Sequence, residues 1–364
     1  MAMHISNHPF IFLTTLMVVA SCCMGGLLIL FNLWNPGPLP VAPLATETAG
    51  SLEIAKSTPS VTKTVELTAP SLPLPSATVS ASISPEATAT ITPIMPSATV
   101  PVTPSNQGKP LVVTFIDVGQ GDSILISSTE GLTALIDGGS NDHGGLAYLL
   151  HHGVERIDLM VATHPHEDHL GGLIQVLGAM PVARVVTSGQ TSTTSAYEYF
   201  VDAIGDSQAV YSEVRRGDSL ALGELTFQVL NPGGTLDEDM NQNSLVLRLE
   251  YGQTTFLFMG DAGASAESGM LMAGLPLKVD ILKVGHHASC SSVSIPFLQS
   301  VQPEVGIYSA GKDNQYGYPC AWMIDTFNQY GVLVLGTDVN GSIIVTVTEA
   351  GYTITDAAGN VLRR

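Results

Sequence analysis

Charge is scarce in this chain. Of 364 residues only 12% are Asp, Glu, Lys or Arg, while 45% are hydrophobic. A soluble domain usually carries about a quarter charged residues, so some segment must skew the composition. Bases are the scarcer sign, 13 Lys and Arg against 32 Asp and Glu, for a net charge of −19. From residue 109 onward the chain holds 28 acids and 11 bases. That balance excludes a broad nucleic-acid-binding surface, which would be basic. It leaves room for a local phosphate site, because bound cations reverse the field in a pocket. The four cysteines include no Cys-x-x-Cys pair, which excludes a thiolate zinc finger. Cys290 and Cys320 read either as one disulfide in an oxidising compartment or as two small buried residues.

Two segments account for the missing charge. Residues 10–34, "FIFLTTLMVVASCCMGGLLILFNLW", contain no charged residue. They are long enough to cross a hydrocarbon layer of about 30 Å as one helix, and Trp34 ends the run where an indole favours the interface. A cleaved signal peptide fits less well, since no Lys or Arg precedes the run. "VASC" at 19–22 loosely resembles a lipoprotein cleavage box. Residues 35–108 are rich in Pro, Ser, Thr and Ala with little periodicity. Such a chain buries too little apolar surface to offset its entropy and reads as a disordered linker or stalk. The expected organisation is therefore an N-terminal membrane anchor or signal segment (1–34), a linker (35–108) and one folded domain (109–364). Anchor and stalk together place the domain outside the cytoplasm.

Within the domain, short apolar and β-branched runs recur: "LVVTFIDV" (111–118), "SILIS" (123–127), "TALID" (133–137), "LMVAT" (159–163), "TTFLFMG" (254–260) and "VDILKVG" (279–285) among them. Each has strand length and is bounded by Gly, Pro, Asn or Asp. Helical patterns fall between them at 145–152, 170–178, 195–204, 264–273, 295–301 and 321–330. The mixture predicts an α+β fold with two sheets and helices on the outer faces.

What stands out against this background is "VATHPHEDHLGGL", residues 161–173. In extended chain, side chains two apart point the same way, so His164 and His166 can reach one point. Asp168 and His169 follow just before the helix expected from Leu170 and reach a neighbouring point. Imidazole nitrogen and carboxylate oxygen suit zinc, manganese or iron. Gly171 and Gly172 let backbone pack close behind the site. Further donors stand at strand ends: Asp261 in "FLFMGDAG", and His286 with His287 in "LKVGHHAS". Alone, Asp261 also fits a helix N-cap, and the histidine pair also fits an ordinary loop.

Taken together, "FIDVGQGDSILI", "LIDGG", "THPHEDHLGGL", "NQNSLVLRL", "FLFMGDAG" and "LKVGHHAS" resemble the metallo-β-lactamase fold, and more narrowly the hydrolase domain of ComEC-type competence and DNA-uptake proteins and their stand-alone relatives. The resemblance runs in order from about 111 to 348. It implies an αββα sandwich of two mixed sheets with outer helices. It also implies two metal ions, Zn²⁺ or Mn²⁺. His164 and His166 would hold the first ion, Asp168 and His169 the second. Asp261 would bridge them, and one of His286 and His287, His287 by preference, would complete the second. Asp168 and Asp261 are the candidates to steer the attacking water, with Ser289 and nearby amides against a phosphate. Asp117, Asp122 and Asp137 belong to motifs near the site, where they either serve it or stabilise turns and strand ends.

Two departures bear on this reading. Asn231, in "VLNPGG", stands where many relatives have a further histidine for the first metal, which implies a weaker first site. Tyr318 and Cys320, in "YGYPC", stand where histidines are common. The implied function is a membrane-anchored, metal-dependent hydrolase, foremost a phosphodiesterase acting on nucleic acid or a cell-envelope phosphodiester. The alternative is a non-catalytic binding protein with a partly decayed site.

Overall fold

A computed structural model describes residues 110–141 and 144–364. The expected anchor (1–34) and linker (35–108) lie outside the described residues. Among the described residues no helix is long and apolar enough to cross a membrane.

The first half of the domain runs β1 (Leu111–Phe115), β2 (Ile124–Ser127), β3 (Thr133–Ile136), α1 (Gly145–His151), β4 (Leu159–Val161), α2 (Glu167–Ala179), β5 (Arg184–Thr187), α3 (Ser195–Asp206) and β6 (Val210–Glu213). Next come β7 (Ser219–Leu222), β8 (Leu225–Asn231), β9 (Val246–Tyr251), β10 (Thr254–Phe258), α4 (Ala264–Met272), β11 (Ile281–Lys283), α5 (Ile295–Val301), β12 (Val305–Tyr308), α6 (Ala321–Gln329) and β13 (Leu333–Gly336). The chain ends with α7 (Thr337–Asn340), β14 (Ile343–Thr348), β15 (Gly351–Asp356) and β16 (Val361–Arg363).

These strands form two mixed sheets. One has nine strands in the order β16-β15-β14-β1-β2-β3-β4-β5-β6, the other seven in the order β13-β12-β11-β10-β9-β8-β7. Each sheet joins an antiparallel meander to a parallel run: β3 to β6 in the first, β10 to β13 in the second.

The layering follows from the period of two along each strand. In β1, Leu111, Val113 and Phe115 face the space between the sheets, where they meet Phe256 and Phe258 of β10. Leu257, between those two phenylalanines, points outward to the layer of Met270, Phe297 and Phe327 on α4 to α6. Leu125 of β2 and Leu135 of β3 likewise point outward, beneath Leu170, Leu173 and Phe200 on α2 and α3. Helices thus cover both outer faces, the αββα sandwich expected from the sequence. Such fully buried side chains each contribute about 1.5–3 kcal/mol relative to exposure.

One boundary differs from expectation. The helix expected from Leu170 begins at Glu167, with His166 as its N-cap. Asp168 and His169 therefore ride on its first turn. Acidic residues are favoured there by the exposed N–H groups, which is why the pattern continues back to Glu167. The Gly171–Gly172 pair does bring backbone close: a methyl group on Gly172 would meet the Gly138 carbonyl oxygen at 1.9 Å.

On the outer face of the second sheet, Glu267 of α4 is fully buried. It accepts a hydrogen bond from Ser294 N at 2.9 Å, so it ties α4 to the start of α5, where the Ser294 hydroxyl caps the helix. Burial pushes its carboxyl up to about 7. A carboxyl whose folded-state pKa is raised keeps its proton while the unfolded chain ionises. Stability therefore falls as pH rises from about 4.5 to about 7. Glu267→Gln keeps the acceptor and removes the charge. It should stabilise the protein above pH 7 by on the order of 2–3 kcal/mol and have little effect below pH 4.5, as read from urea melts of the two proteins across that range. A variant equally stable or less stable at pH 8 contradicts this.

Candidate metal centre

The site lies where the parallel strands of both sheets end. β3 leads into Asp137, β4 into Thr163 and His164, β10 into Asp261, and β11 into His286 and His287. A strand's carboxyl end delivers side chains from a rigid frame to the rim of the core, the usual position of functional groups in parallel sheets.

Two groups of donors converge there. His164, His166 and Asp261 place one ligand atom each within 4.8 Å of the others, and so do Asp168, His169 and His287. His164 Nε2 and His166 Nδ1 are 3.0 Å apart. Two donors on one ion with bonds of about 2.0–2.1 Å would be separated by roughly that distance. Asp261 Oδ2 lies 3.7 Å from His164 Nε2 and 3.4 Å from both His169 Nε2 and His287 Nε2. It thus stands between the groups. His287 Nε2 lies 3.3 Å from Asp168 Oδ2.

The histidine pair after β11 divides. His287 is buried, and its Nδ1 meets the Ser309 carbonyl at 2.9 Å. That bond leaves Nε2 facing the centre. His286 stays at the rim with a side chain 29% exposed, its Nε2 4.0 Å from Asp261 Oδ2 and 3.4 Å from the Tyr318 hydroxyl. The turn carrying both is strained: His286, His287 and Ala288 have φ of 43°, 53° and 59°, which L-residues seldom adopt. It is pinned by His286 N to Gly260 O at 3.1 Å and by Cys320 N to Ala288 O at 2.8 Å. Strain held by its surroundings is common at functional sites.

The residues behind these donors orient them. Asp137 accepts from Thr163 N at 2.8 Å and Thr163 Oγ1 at 2.7 Å, and holds His169 Nδ1 at 2.8 Å. This fixes the His169 ring with Nε2 toward the centre. Asp122 is paired with Lys283 Nζ at 2.6 Å, both fully buried. Asp117 instead closes a turn, its Oδ1 accepting from Gly119 N at 3.1 Å. Of the three aspartates left open by the sequence, one is a turn residue and two stand behind the site. Lys283 was not anticipated, although a lone Lys inside "VDILKVG" was a signal, since a buried Lys must be paired.

The structure also places three further residues that the sequence singled out. Asn231 directs its side-chain nitrogen to the backbone carbonyls of Gln242 and Ser244, at 2.7 and 2.9 Å. It thereby anchors a 3-10 turn (Met240–Asn243), after which Ser244 Oγ accepts from Asp261 N at 3.1 Å. Ser289 is buried, with its hydroxyl 3.5 Å from that of Ser291. It does not line the cavity over the site, so it is not placed to meet a phosphate there. Cys320 forms a disulfide with Cys290.

The residues fit a divalent cation. Burial opposes charge on every group, and the histidines nearest the first position, His164 and His166, are pushed down and stay neutral. Burial also opposes charge on His169 and His287, yet the carboxylates around them, Asp261 foremost, hold both well above the ordinary histidine range. The centre thus favours positive charge at the point the two rings face. Asp261 is held well below the ordinary carboxylate range, by His287 and His169 against its burial. The buried His169 Nε2, His287 Nε2 and Asp261 Oδ1 have no hydrogen-bond partner among the described residues, as expected of metal donors rather than of a hydrogen-bonded polar core.

Above the centre opens a cavity of about 770 Å³, lined among others by Asp168, Asp261, His286 and Tyr318. Asp168, with a side chain 28% exposed, and Tyr318 both face this cavity.

Comparison with known proteins agrees with this geometry. Residues 116–312 match the family model described as the metallo-beta-lactamase superfamily. The chain is 30% identical over 250 residues to ComE operon protein 3 of Bacillus subtilis, covering 64% of this chain and 32% of that protein. It is also 30% identical over 240 residues to Recombination protein 2 of Haemophilus influenzae, covering 64% and 28%. The chain thus spans about a third of the length of the curated relatives it matches. Among solved structures it is similar to the metallo-beta-lactamase fold protein YhfI of Bacillus subtilis, with a TM-score of 0.45 at 12% identity, over 62% of this chain and 96% of that one. With two mixed sheets, outer helices, a converging His/Asp centre at the strand ends and more than half its length matched by the family model, the chain belongs to the metallo-β-lactamase superfamily and has its metal-dependent hydrolase fold.

Proposed function

We propose that this protein is a phosphodiesterase that uses two divalent ions, Zn²⁺ or Mn²⁺, and acts outside the cytoplasm at a membrane surface. The observation that carries the reading is the pair of donor groups meeting at Asp261: His164 and His166 on one side, Asp168, His169 and His287 on the other. Two such ions supply Lewis acidity, lower the pKa of a water towards about 7 and neutralise charge on a phosphoryl group. Everything else falls to the chain. Asp168 faces the cavity, and it or Asp261 would steer the attacking water. Asp137 holds the His169 ring and Ser309 holds the His287 ring, so the donors do not have to rearrange. His286 and the Tyr318 hydroxyl stand at the rim, where the leaving side of an ester would lie.

The two positions are unequal. The second has Asp168, His169, His287 and the shared Asp261. The first has His164, His166 and Asp261, while the Asn231 side-chain nitrogen is engaged with backbone. The first ion is therefore held more weakly and is the more open to Mn²⁺. A binding protein with a decayed site is disfavoured because these donors keep their convergence and two of them, His169 and His287, keep orienting partners.

The purified chain, loaded with Zn²⁺ or Mn²⁺, should hydrolyse bis-p-nitrophenyl phosphate and leave nitrocefin intact. Asp168→Ala should lower the rate by about 100-fold or more. Loaded protein with no phosphodiesterase activity, or with equal activity on nitrocefin, refutes the reading.

Attachment through residues 10–34 and an external position rest on the uncharged apolar run and the Pro/Ser/Thr-rich segment after it. The Cys290–Cys320 disulfide supports an oxidising compartment. Protease added to intact cells should cut the domain free; a domain that resists until lysis contradicts this placement.

A further inference from the structure

The segment between β12 and α6 stands over the metal centre and carries two tyrosines that the mechanism leaves partly unused. Tyr316 and Tyr318 stack with ring centroids 5.6 Å apart and planes within 17°. Tyr318 is the inner ring, lying edge-on to His286 at 5.6 Å. Tyr316 is the outer ring and is 57% exposed. Both line the same cavity as Asp168 and Asp261.

Exposed aromatic rings on a loose loop would mean little, but this segment is fixed from three directions. The Asn314 side chain accepts from Tyr316 N at 3.1 Å and Tyr318 N at 3.0 Å, and donates to the carbonyls of Gly311 and Tyr318. Cys320 is covalently joined to Cys290, three residues beyond His287. Cys320 N also donates to Ala288 O. The platform is thus tied to the turn that carries the metal-facing histidine. An aromatic face prepared in this way loses little entropy on binding.

The arrangement also says what kind of group it takes. Near-parallel rings offer one flat face. A quaternary ammonium is held better by rings set around it at angles. Among the described residues lining the cavity none is Lys or Arg, while Glu167 and Asp313 add acid. A run of phosphates would find no partners beyond the centre, which disfavours a tracked polymer. A flat, uncharged ring attached to a single ester meets none of these objections. We propose that the Tyr316–Tyr318 stack is a subsite for a planar ring, of the size and polarity of a nucleobase, carried on the ester beside the scissile phosphate. This rests on the phosphodiesterase reading for the position of the phosphate, while the stacking face stands on its own geometry.

The test compares binding of three monophosphates to metal-loaded protein by calorimetry: thymidine 5′-phosphate, ethyl phosphate and choline phosphate. The wild type should bind thymidine 5′-phosphate about 5- to 150-fold more tightly than ethyl phosphate, the range of one base stacked on an aromatic side chain. Tyr316→Ala should bring that ratio close to one. Tyr316→Phe should preserve it, since the face and not the hydroxyl is used. Because Tyr316 is largely exposed, neither change threatens the fold. Equal binding of the thymidine and ethyl compounds by the wild type overturns the proposal, as does a ratio unmoved by Tyr316→Ala. Tighter binding of choline phosphate than of the thymidine compound overturns it in favour of a cation site. Since the readout is binding, a protein that shows the base preference but cleaves no ester would refute the phosphodiesterase reading and leave the subsite standing.

Discussion

Asp261 Oδ2 lies within 4.0 Å of a ring nitrogen from each of His164, His169, His286 and His287. This carboxylate holds His169 and His287 well above the ordinary histidine range, so the centre favours positive charge at its middle, and a divalent cation supplies that charge when the rings serve as neutral donors. The surroundings serve that one requirement. β10 ends so that Asp261 emerges from the core, and Ser244 Oγ receives its backbone N–H. Asn231 fixes the turn that leads to Ser244. Asp137 and Ser309 aim two of the rings. The two sheets are needed because the donors come from both: His164 to His169 follow β4, while Asp261, His286 and His287 follow β10 and β11.

The buried Lys283–Asp122 pair belongs to the same economy of charge. With Lys283 at 2.6 Å, Asp122 is held down to about 2 despite complete burial. Its second oxygen lies 3.5 Å from His287 Nδ1. Asp122 can be counted geometrically with His169 and Asp261 as a third donor group. The lysine already neutralises it, which suits a residue that holds the wall of the site. A cation between Asp168, His169, His287 and Asp261 is then the remaining charge that the centre calls for.

Much of this was readable from the sequence, and the reasons are specific. "THPHEDH" concentrates ligand types in a chain poor in charge, and its alternation with a strand before it places His164 with His166. Inward alternation in "LVVTF" and "TTFLF" made the two-sheet core visible. What escaped depended on long-range contact or on weak patterning. β6 has little buried surface and so carried no strong period, while β7 alternates but only over four residues of small and mixed side chains. The start of α2 at Glu167 was hidden because the metal motif itself supplies the first turn. Asn231 read as a weakened ligand; that its nitrogen also serves a turn lying beyond it in sequence was not visible there. The role of Asp137 required knowing that Thr163 and His169 fold over it. The Cys290–Cys320 pairing was one of two open readings, since spacing alone does not bring residues 30 apart together.

The disulfide adds a second theme, the rigidity of the rim. Inward-facing His287, rim His286 and the stacked Tyr316 and Tyr318 are carried by two segments that the Cys290–Cys320 bond joins. The inner donors sit on strand ends and the first turn of α2. Neither layer relies on a long free loop, so the donors are held in place by the frame itself.

Thermal melting of the protein at neutral pH, with and without a divalent cation, tests most directly whether the buried acids and histidines require one. Chelator-stripped protein should melt below protein given Zn²⁺ or Mn²⁺. With free ion at about 100 times the dissociation constant the gain should be about 2.7 kcal/mol, or roughly 5–11 °C for a domain of this size, and Asp261→Asn should abolish most of it. Identical melting of stripped and loaded wild-type protein would contradict that requirement.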